Sequence, residues 1–219
     1  MKRTKVAIYG AGGFGREVAW LVESCTAPGH HYEVSCFIVD DPANHGQVLN
    51  DVEIVGLDMA RHRYPDAVVV GAIGSPHARE KLMTKAEALG FRPATLVHPR
   101  VEHSRWLDIG EGTVICTGCI LTTNIQLGRH VQINLDCTVG HDVVMSDYAT
   151  LAPGVHVSGR VHLGRRVYVG TGAVLINGQP DHPLIVGDDA VIGAGACVVK
   201  SVPAAATVVG VPAKEVVRH

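Results

Sequence analysis

The pair in this 219-residue chain best suited to moving a proton is His141-Asp142. A neutral imidazole accepts a proton near neutral pH, and a neighbouring carboxylate fixes its tautomer or raises its basicity. A solvated histidine at a turn is the competing reading, since thirteen histidines are spread along the chain. A second candidate is the segment GAGGFG at 10–15. Its Gly10, Gly12 and Gly15 satisfy GxGxxG between an apolar run and a helical pattern, the setting in which backbone N–H groups cradle a phosphate. Asp40 and Asp41 end a later apolar run, where an acidic residue can hold a ribose hydroxyl. Six cysteines include the CxxC of Cys116 and Cys119, but no second CxxC or histidine pair completes a zinc set. They read as reduced core thiols of a cytosolic protein, and no metal is expected.

His141 is positioned by a repeat. Every sixth residue from Ile109 to Leu175 is aliphatic or Met: Ile109, Ile115, Leu121, Leu127, Ile133, Val139, Met145, Leu151, Val157, Leu163, Val169 and Leu175. Twelve such residues in an unbroken row are a chance event of about one in several thousand at ordinary composition. A six-residue period fits neither a helix nor a long strand. It fits a short strand plus a corner, repeated around a prism. The aliphatic residue fills the axis, and the small residue that usually follows it is expected to let the corner bend. Three faces make a coil of about eighteen residues, so residues eighteen apart stack at strand spacing. Cys119 and Cys137 then stack inside the prism. His141 falls in the column Thr123, His141, Gly159, Asn177, with a glycine beside it where a carbonyl can approach a bare N–H. The register breaks where Asp181 falls on an aliphatic position. NGQPDHP (177–183) reads as a loop, and the register resumes at Val186, Ile192 and Val198. Fifteen hexapeptides make about five coils, and the tail from 208 is expected to leave the prism.

The first hundred residues alternate strands and helices. Strands are expected at 5–9, 33–40, 52–56, 67–74 and near 94–97, with helices from the glycine turn to about Ser24 and from Pro76 to Ala88. This is a small parallel α/β sheet of Rossmann type over 1–99, followed by a β-helix over 100–219, with the boundary at His98-Pro99. The net charge of −2 gives no electrostatic case for nucleic acid or an anionic membrane. No run reaches membrane-spanning length, and the basic start is broken by glycines, unlike a signal peptide.

The hexapeptide array, with NLDCTVGHD (134–142), SGRVHLG (158–164), GAGACVVKSVP (193–203) and VGVPAK (209–214), resembles the left-handed β-helix acyltransferases. The handedness comes from that resemblance alone, since general crossover statistics favour the opposite hand. IYGAGGFG, FIVDD, AIGS and LVHP narrow the resemblance to bacterial nucleotide-sugar N-acetyltransferases of the bacillosamine and perosamine pathways. The resemblance implies direct transfer from acetyl-CoA to a sugar 4-amine, without metal or acetyl-enzyme. His141 would be the base, Asp142 its acidic neighbour, Asn134 a matched position and the Gly159 N–H an oxyanion donor. Thr150 stands where some members carry a second histidine near the acetyl group. Gly170, Thr171 and Lys214 match the coenzyme groove. Gly10, Gly12, Gly13, Phe14, Gly15, Asp40, Asp41, Gly74, Ser75 and Arg79 match the segments that hold the nucleotide sugar. A cytoplasmic homotrimer with grooves between subunits, serving surface-polysaccharide or glycan synthesis, is also implied. The carrier, GDP or UDP, stays open. Sugar O-acetyl transfer of the sialic-acid-modifying type, a non-catalytic sugar-binding β-helix and an NAD-dependent enzyme are the alternatives.

Overall fold

The computed structural model describes residues 2–25 and 30–216; Met1 and the last three residues of the expected tail, 217–219, lie outside them. The chain divides between Pro99 and Arg100 into two units.

The first unit is built on β1 (Lys2–Tyr9), whose Val6, Ala7, Ile8 and Tyr9 are all buried. A strand covered on both faces reads as a continuous apolar run, as parallel strands flanked by helices do. Around it stand α1 (Gly13–Ser24), β2 (His30–Ile38), β3 (Val48–Leu49), β4 (Val52–Val55), α2 (Leu57–Arg63), β5 (Val68–Gly71), α3 (Pro76–Ala88) and β6 (Arg92–Pro93); the expected strand near 94–97 forms at Leu96–Val97 but takes no place in this sheet. The sheet order is β3-β4-β2-β1-β5-β6, with every pairing parallel except β3 against β4. The expectation of an all-parallel sheet therefore needs correction at this edge. Asn50 and Asp51, at φ 47° and 62°, make the tight turn between β3 and β4, and these residue types tolerate the left-handed region best. The helix at 76–88 is as expected, capped by Ser75 with Pro76 in its first turn. The sequence reading missed α2, a two-turn helix too short for its periodicity to show.

The second unit is a parallel β-helix of two- and three-residue strands in three ladders. One ladder pairs Ile115, Ile133, Leu151, Val169 and Ile192 in succession; a second pairs Leu121, Val139, Val157, Leu175 and Val198; a third pairs Ile109, Leu127, Met145, Leu163 and Val186. These are the residues of the six-residue period, stacked eighteen apart up to Leu175. A five-residue excursion then lengthens the spacing, so that Leu163 meets Val186. The axis is aliphatic and shielded from solvent, with Leu151, Val169, Leu175 and Ile192 fully buried. Cys119 and Cys137 are buried beside it as free thiols, donating to the carbonyls of Asn134 and Ala152.

Two expectations change. The bend is made by the third residue after each axis residue, not the first: Gly112, Gly118, Asn124, His130, Asp136, Asp142, Tyr148, Gly154, Arg160, Arg166 and Gly172 all have positive φ. The small first residue serves close stacking instead; a Cβ on Gly140 would lie 2.6 Å from the Gly159 nitrogen of the next coil. The tail does not leave the prism at 208. Thr207–Val209 adds a last parallel rung on Val191–Ile192, and Lys214–Glu215 folds back on it antiparallel, covering the exposed edge.

Candidate functional site

His141 sits at the corner after Thr138–Val139, with its side chain about half exposed. The next residue, Asp142, holds the left-handed corner conformation at φ 60°, one reason for a short acidic residue there. Its Oδ2 lies 2.8 Å from His141 Nδ1. The neighbouring coils close on the same carboxylate: Asn124 Nδ2 is 3.4 Å from Oδ1 and Arg160 Nε is 3.8 Å from Oδ2. The His141 hydrogen bond, foremost, with help from Asn124 and Arg160, holds the Asp142 carboxyl below its usual range. Asp142 is therefore ionised at neutral pH and accepts the Nδ1 proton, which leaves the neutral-imidazole lone pair on Nε2.

The His141 ring lies against the next coil. A Cβ built on Gly159 would stand 2.5 Å from Nε2 and 2.6 Å from Cε1. Gly159 was expected to make room for a ligand; it makes room first for the imidazole. Its N–H donates no hydrogen bond among the described residues, while the flanking Ser158 and Arg160 N–H groups bond to Leu175 and His141 carbonyls. The corner thus presents a proton acceptor and an unused N–H donor side by side. The 177–183 excursion springs from this corner, with Gly178 N bonded to the Gly159 carbonyl and Leu184 N to the Arg160 carbonyl.

The remaining residues singled out in the β-helix lie elsewhere on it. Asn134 is 8% exposed, and its side-chain amide donates to the Leu151 carbonyl, so it ties two coils together. Thr150 is 1% exposed, in a strand of a different ladder half a coil from His141. Gly170 is buried, with its Cβ position 2.6 Å from Ala194 N, whereas Thr171 and Lys214 are exposed.

In the first unit the glycine turn behaves as its spacing demands. Gly10, at φ 114°, donates to the Ile38 carbonyl, and a Cβ on Gly15 would stand 2.2 Å from the Gly10 carbonyl. Nothing lies within 4 Å of a Cβ on Gly12, so that backbone is open to a ligand. Gly13 and half-buried Phe14 start α1. A cavity of about 450 Å³ opens here, lined by Tyr9, Gly10, Gly12, Asp40, Asn44 and Gln47 among others. Burial works to raise the Asp40 pKa, but hydrogen bonds from Tyr9 and Lys85 outweigh it and hold this carboxyl low. Asp41 instead caps the turn at Pro42–Asn44, accepting from Ala43 N. Ser75 caps α3, and Gly74 beside it is open. Arg79 is 1% exposed and donates to the Ile73 carbonyl at 2.8 Å, so it shapes the 73–75 loop from inside and offers no open side chain. No motif marks Tyr9 and Lys85 as neighbours of Asp40; the parallel pairing of β1 with β2 brings Tyr9 there. Among the described residues no group of three or more His, Cys, Asp and Glu could hold a metal ion.

Residues 5–86 match the family model of the PglD N-terminal domain. The chain is 34% identical over 212 residues, 96% of each chain, to a GDP-perosamine N-acetyltransferase of Escherichia coli O157:H7. This chain belongs to that family, the nucleotide-sugar N-acetyltransferases with a left-handed β-helix. PerB from Caulobacter crescentus, solved with CoA and GDP-perosamine, superposes with a TM-score of 0.85 at 29% identity, covering 97% of both chains. The acetyltransferase domain of PglB from Neisseria gonorrhoeae, solved with acetyl coenzyme A, gives 0.86 at 30% identity over 98% of this chain and 100% of that one. Membership of the N-acetyltransferases displaces NAD-dependent chemistry as a reading. No helix among the described residues is long and apolar enough to cross a membrane.

Proposed function

We propose that this N-acetyltransferase moves the acetyl group of acetyl-CoA onto the 4-amine of a nucleotide-linked amino sugar, GDP-perosamine first among the candidates, with His141 as general base. The observation that carries the proposal is the His141–Gly159 corner: Nδ1 held by Asp142, Nε2 against the next coil, and a spare N–H beside it. The amine lone pair attacks the thioester carbonyl carbon, and Nε2 takes the amine proton as the C–N bond forms. The Gly159 N–H stabilises the oxyanion of the tetrahedral intermediate. Collapse breaks the C–S bond and releases CoA thiolate, which is protonated from the imidazolium or from water.

The cavity at the glycine turn suits the nucleotide half of the acceptor, with the open Gly12 backbone for the diphosphate and Asp40 for a hydroxyl or base donor. Thr171, Lys214 and the later coils are assigned to the coenzyme. A cytoplasmic homotrimer is part of the same reading, since flat prism faces pack around a threefold axis; a monomeric mass in sedimentation would remove it. The direct assay is thiol release from acetyl-CoA with GDP- and UDP-linked 4-amino sugars. The proposal expects one to be acetylated at nitrogen, and turnover with none of them would overturn it.

A further inference from the structure

The α/β unit has a second cavity, at the end of the sheet opposite the glycine turn. It measures about 490 Å³, and its walls carry four cations, Arg3, Lys5, Arg63 and Arg92, against one carboxylate, Asp66. The register makes them converge. Val6 pairs with Val68 and Val68 with Arg92, so β1, β5 and β6 begin side by side. Arg63 and Tyr64 arrive from the end of α2, and the Lys5 ammonium lies 4.9 Å from the Tyr64 ring centre.

A chain with 19 Lys and Arg against 21 Asp and Glu has no surplus of cations to gather in one place. Structural needs explain part of the set. The basic last turn of α2, Arg61 to Arg63, suits the carbonyls at a helix C-terminus. A charge such as Arg92 on the edge strand β6 discourages edge pairing. Neither need reaches Arg3 and Lys5, which open a central strand. Two of the four cations are matched inside the protein: Arg63 lies 2.7 Å from Glu53 and Arg3 lies 3.6 Å from Glu33. Among the described residues no carboxylate pairs with Lys5 or Arg92. Like charges in one concave wall repel each other and focus a positive potential into it.

We infer that this cavity is a second anion site, which takes the di- or triphosphate group of a small soluble molecule on Lys5 and Arg92, with Arg3 and Arg63 beside them. Its volume is that of a small-molecule site. Guanidinium forks match phosphate oxygens two at a time, and a lysine adds a point charge. Several cations against the single Asp66 suit more than one phosphate. The glycine turn cannot share this ligand: Lys5 and Gly10 lie five residues apart along the chain, roughly 16 Å at strand rise, beyond the reach of a diphosphate. The site stands independently of the acetyl-transfer reading, because ligands of open α/β sheets bind at the other ends of the strands.

The probe is inorganic pyrophosphate, titrated into the full chain and followed by backbone amide NMR. Saturable shifts should appear at Tyr64, Asp66, Ala67 and Arg92, with pyrophosphate binding about tenfold or more tighter than sulfate and weakening as salt is raised. The double variant Lys5→Gln, Arg92→Gln should lose about tenfold or more of that affinity. Its Tm should hold or rise, since it relieves like-charge repulsion; Arg92→Gln alone takes its place if the double variant does not fold. Unchanged pyrophosphate affinity with a lowered Tm assigns these cations to the fold and overturns the site. Shifts confined to Gly10 to Gly13 leave the glycine turn as the place where diphosphate binds and also overturn it. So does the absence of any saturable shift, or binding to phosphatidylglycerol vesicles without a response to pyrophosphate, which marks a membrane-facing surface instead.

Discussion

Two edges of one prism carry the same backbone and are finished in opposite ways. The edge after the Leu127 ladder stacks Glu111, Arg129, Asp147, Arg165 and Asp188, charges of alternating sign. There Asp147 Oδ1 accepts the Arg129 N–H at 2.8 Å, and Asp188 Oδ1 accepts the Arg165 N–H at 2.8 Å. Asp147 Oδ2 also meets Arg165 Nη1 at 3.0 Å. Corner N–H groups that the coils cannot satisfy are thus satisfied by side chains from the next coil. The edge after the Val139 ladder stacks Thr123, His141, Gly159 and Asn177. Its Gly159 N–H has no such carboxylate, and an imidazole stands in the gap. The charged edge shows how this fold closes a corner when only stability is at stake. The His141 edge leaves the corner unclosed, and a donor left available is useful only to something that arrives.

The contrast breaks most sharply at Gly159. Gly159→Ala places a methyl 2.5 Å from His141 Nε2 and must displace the ring. Misplacing a reacting group by about 1 Å can cost on the order of 100-fold, so kcat should fall by about that factor while the fold and acetyl-CoA binding persist. A variant with near-normal kcat would mean the ring position in this corner is not the working one.

Next in size is Asp142→Asn. Losing a group that orients a working imidazole costs on the order of 10- to 100-fold, and kcat should fall with little change in either KM. The pH behaviour follows from the depressed Asp142 pKa. A carboxyl whose folded pKa is lowered contributes its hold on His141 above its unfolded value, near 4, and loses it only as pH falls through the lower folded value. Between pH 5 and 8 the Nδ1 proton resonance of His141 should keep its hydrogen-bonded position. An Asp142 signal titrating within that window would contradict the assignment.

Smallest is Asp147→Asn on the charged edge. It weakens one partly exposed ion pair and one backbone cap, together about 1 kcal/mol, or about 3 °C in Tm for a chain of this size. Activity should not move. A loss of kcat here would erase the distinction between the two edges.

The axis and its stacking were legible because an uninterrupted six-residue period reports burial directly, and the break at Asp181 reported the excursion. The corner conformation was only partly legible: seven of the eleven corners from Gly112 to Gly172 carry Gly, Asn or Asp, but His130, Tyr148, Arg160 and Arg166 hold the same positive φ, because coil stacking there overrides local preference. The charged edge was visible in principle, since Glu111, Arg129, Asp147 and Arg165 stand eighteen apart, but the excursion shifts Asp188 off that step. His141 and Gly159 could be found by counting, whereas Asn134 and Asp41 could not be told from site residues. Polar side chains that cap backbone and polar side chains that bind ligands are the same types, and only their partners separate them. Arg79 misled for a related reason: a buried arginine satisfied by carbonyls looks in sequence like one waiting for a phosphate.

The central claim is that His141 takes the amine proton. The measurement is kcat of His141→Asn with acetyl-CoA and the accepted nucleotide-linked amino sugar, followed by thiol release. The side chain is about half exposed and asparagine keeps polarity, so the variant should fold and bind acetyl-CoA as the wild type does. Removing a general base costs about 10²–10⁴-fold; a loss of kcat in that range, with KM for acetyl-CoA unchanged, is the expected result. Retention of near wild-type kcat would contradict the account.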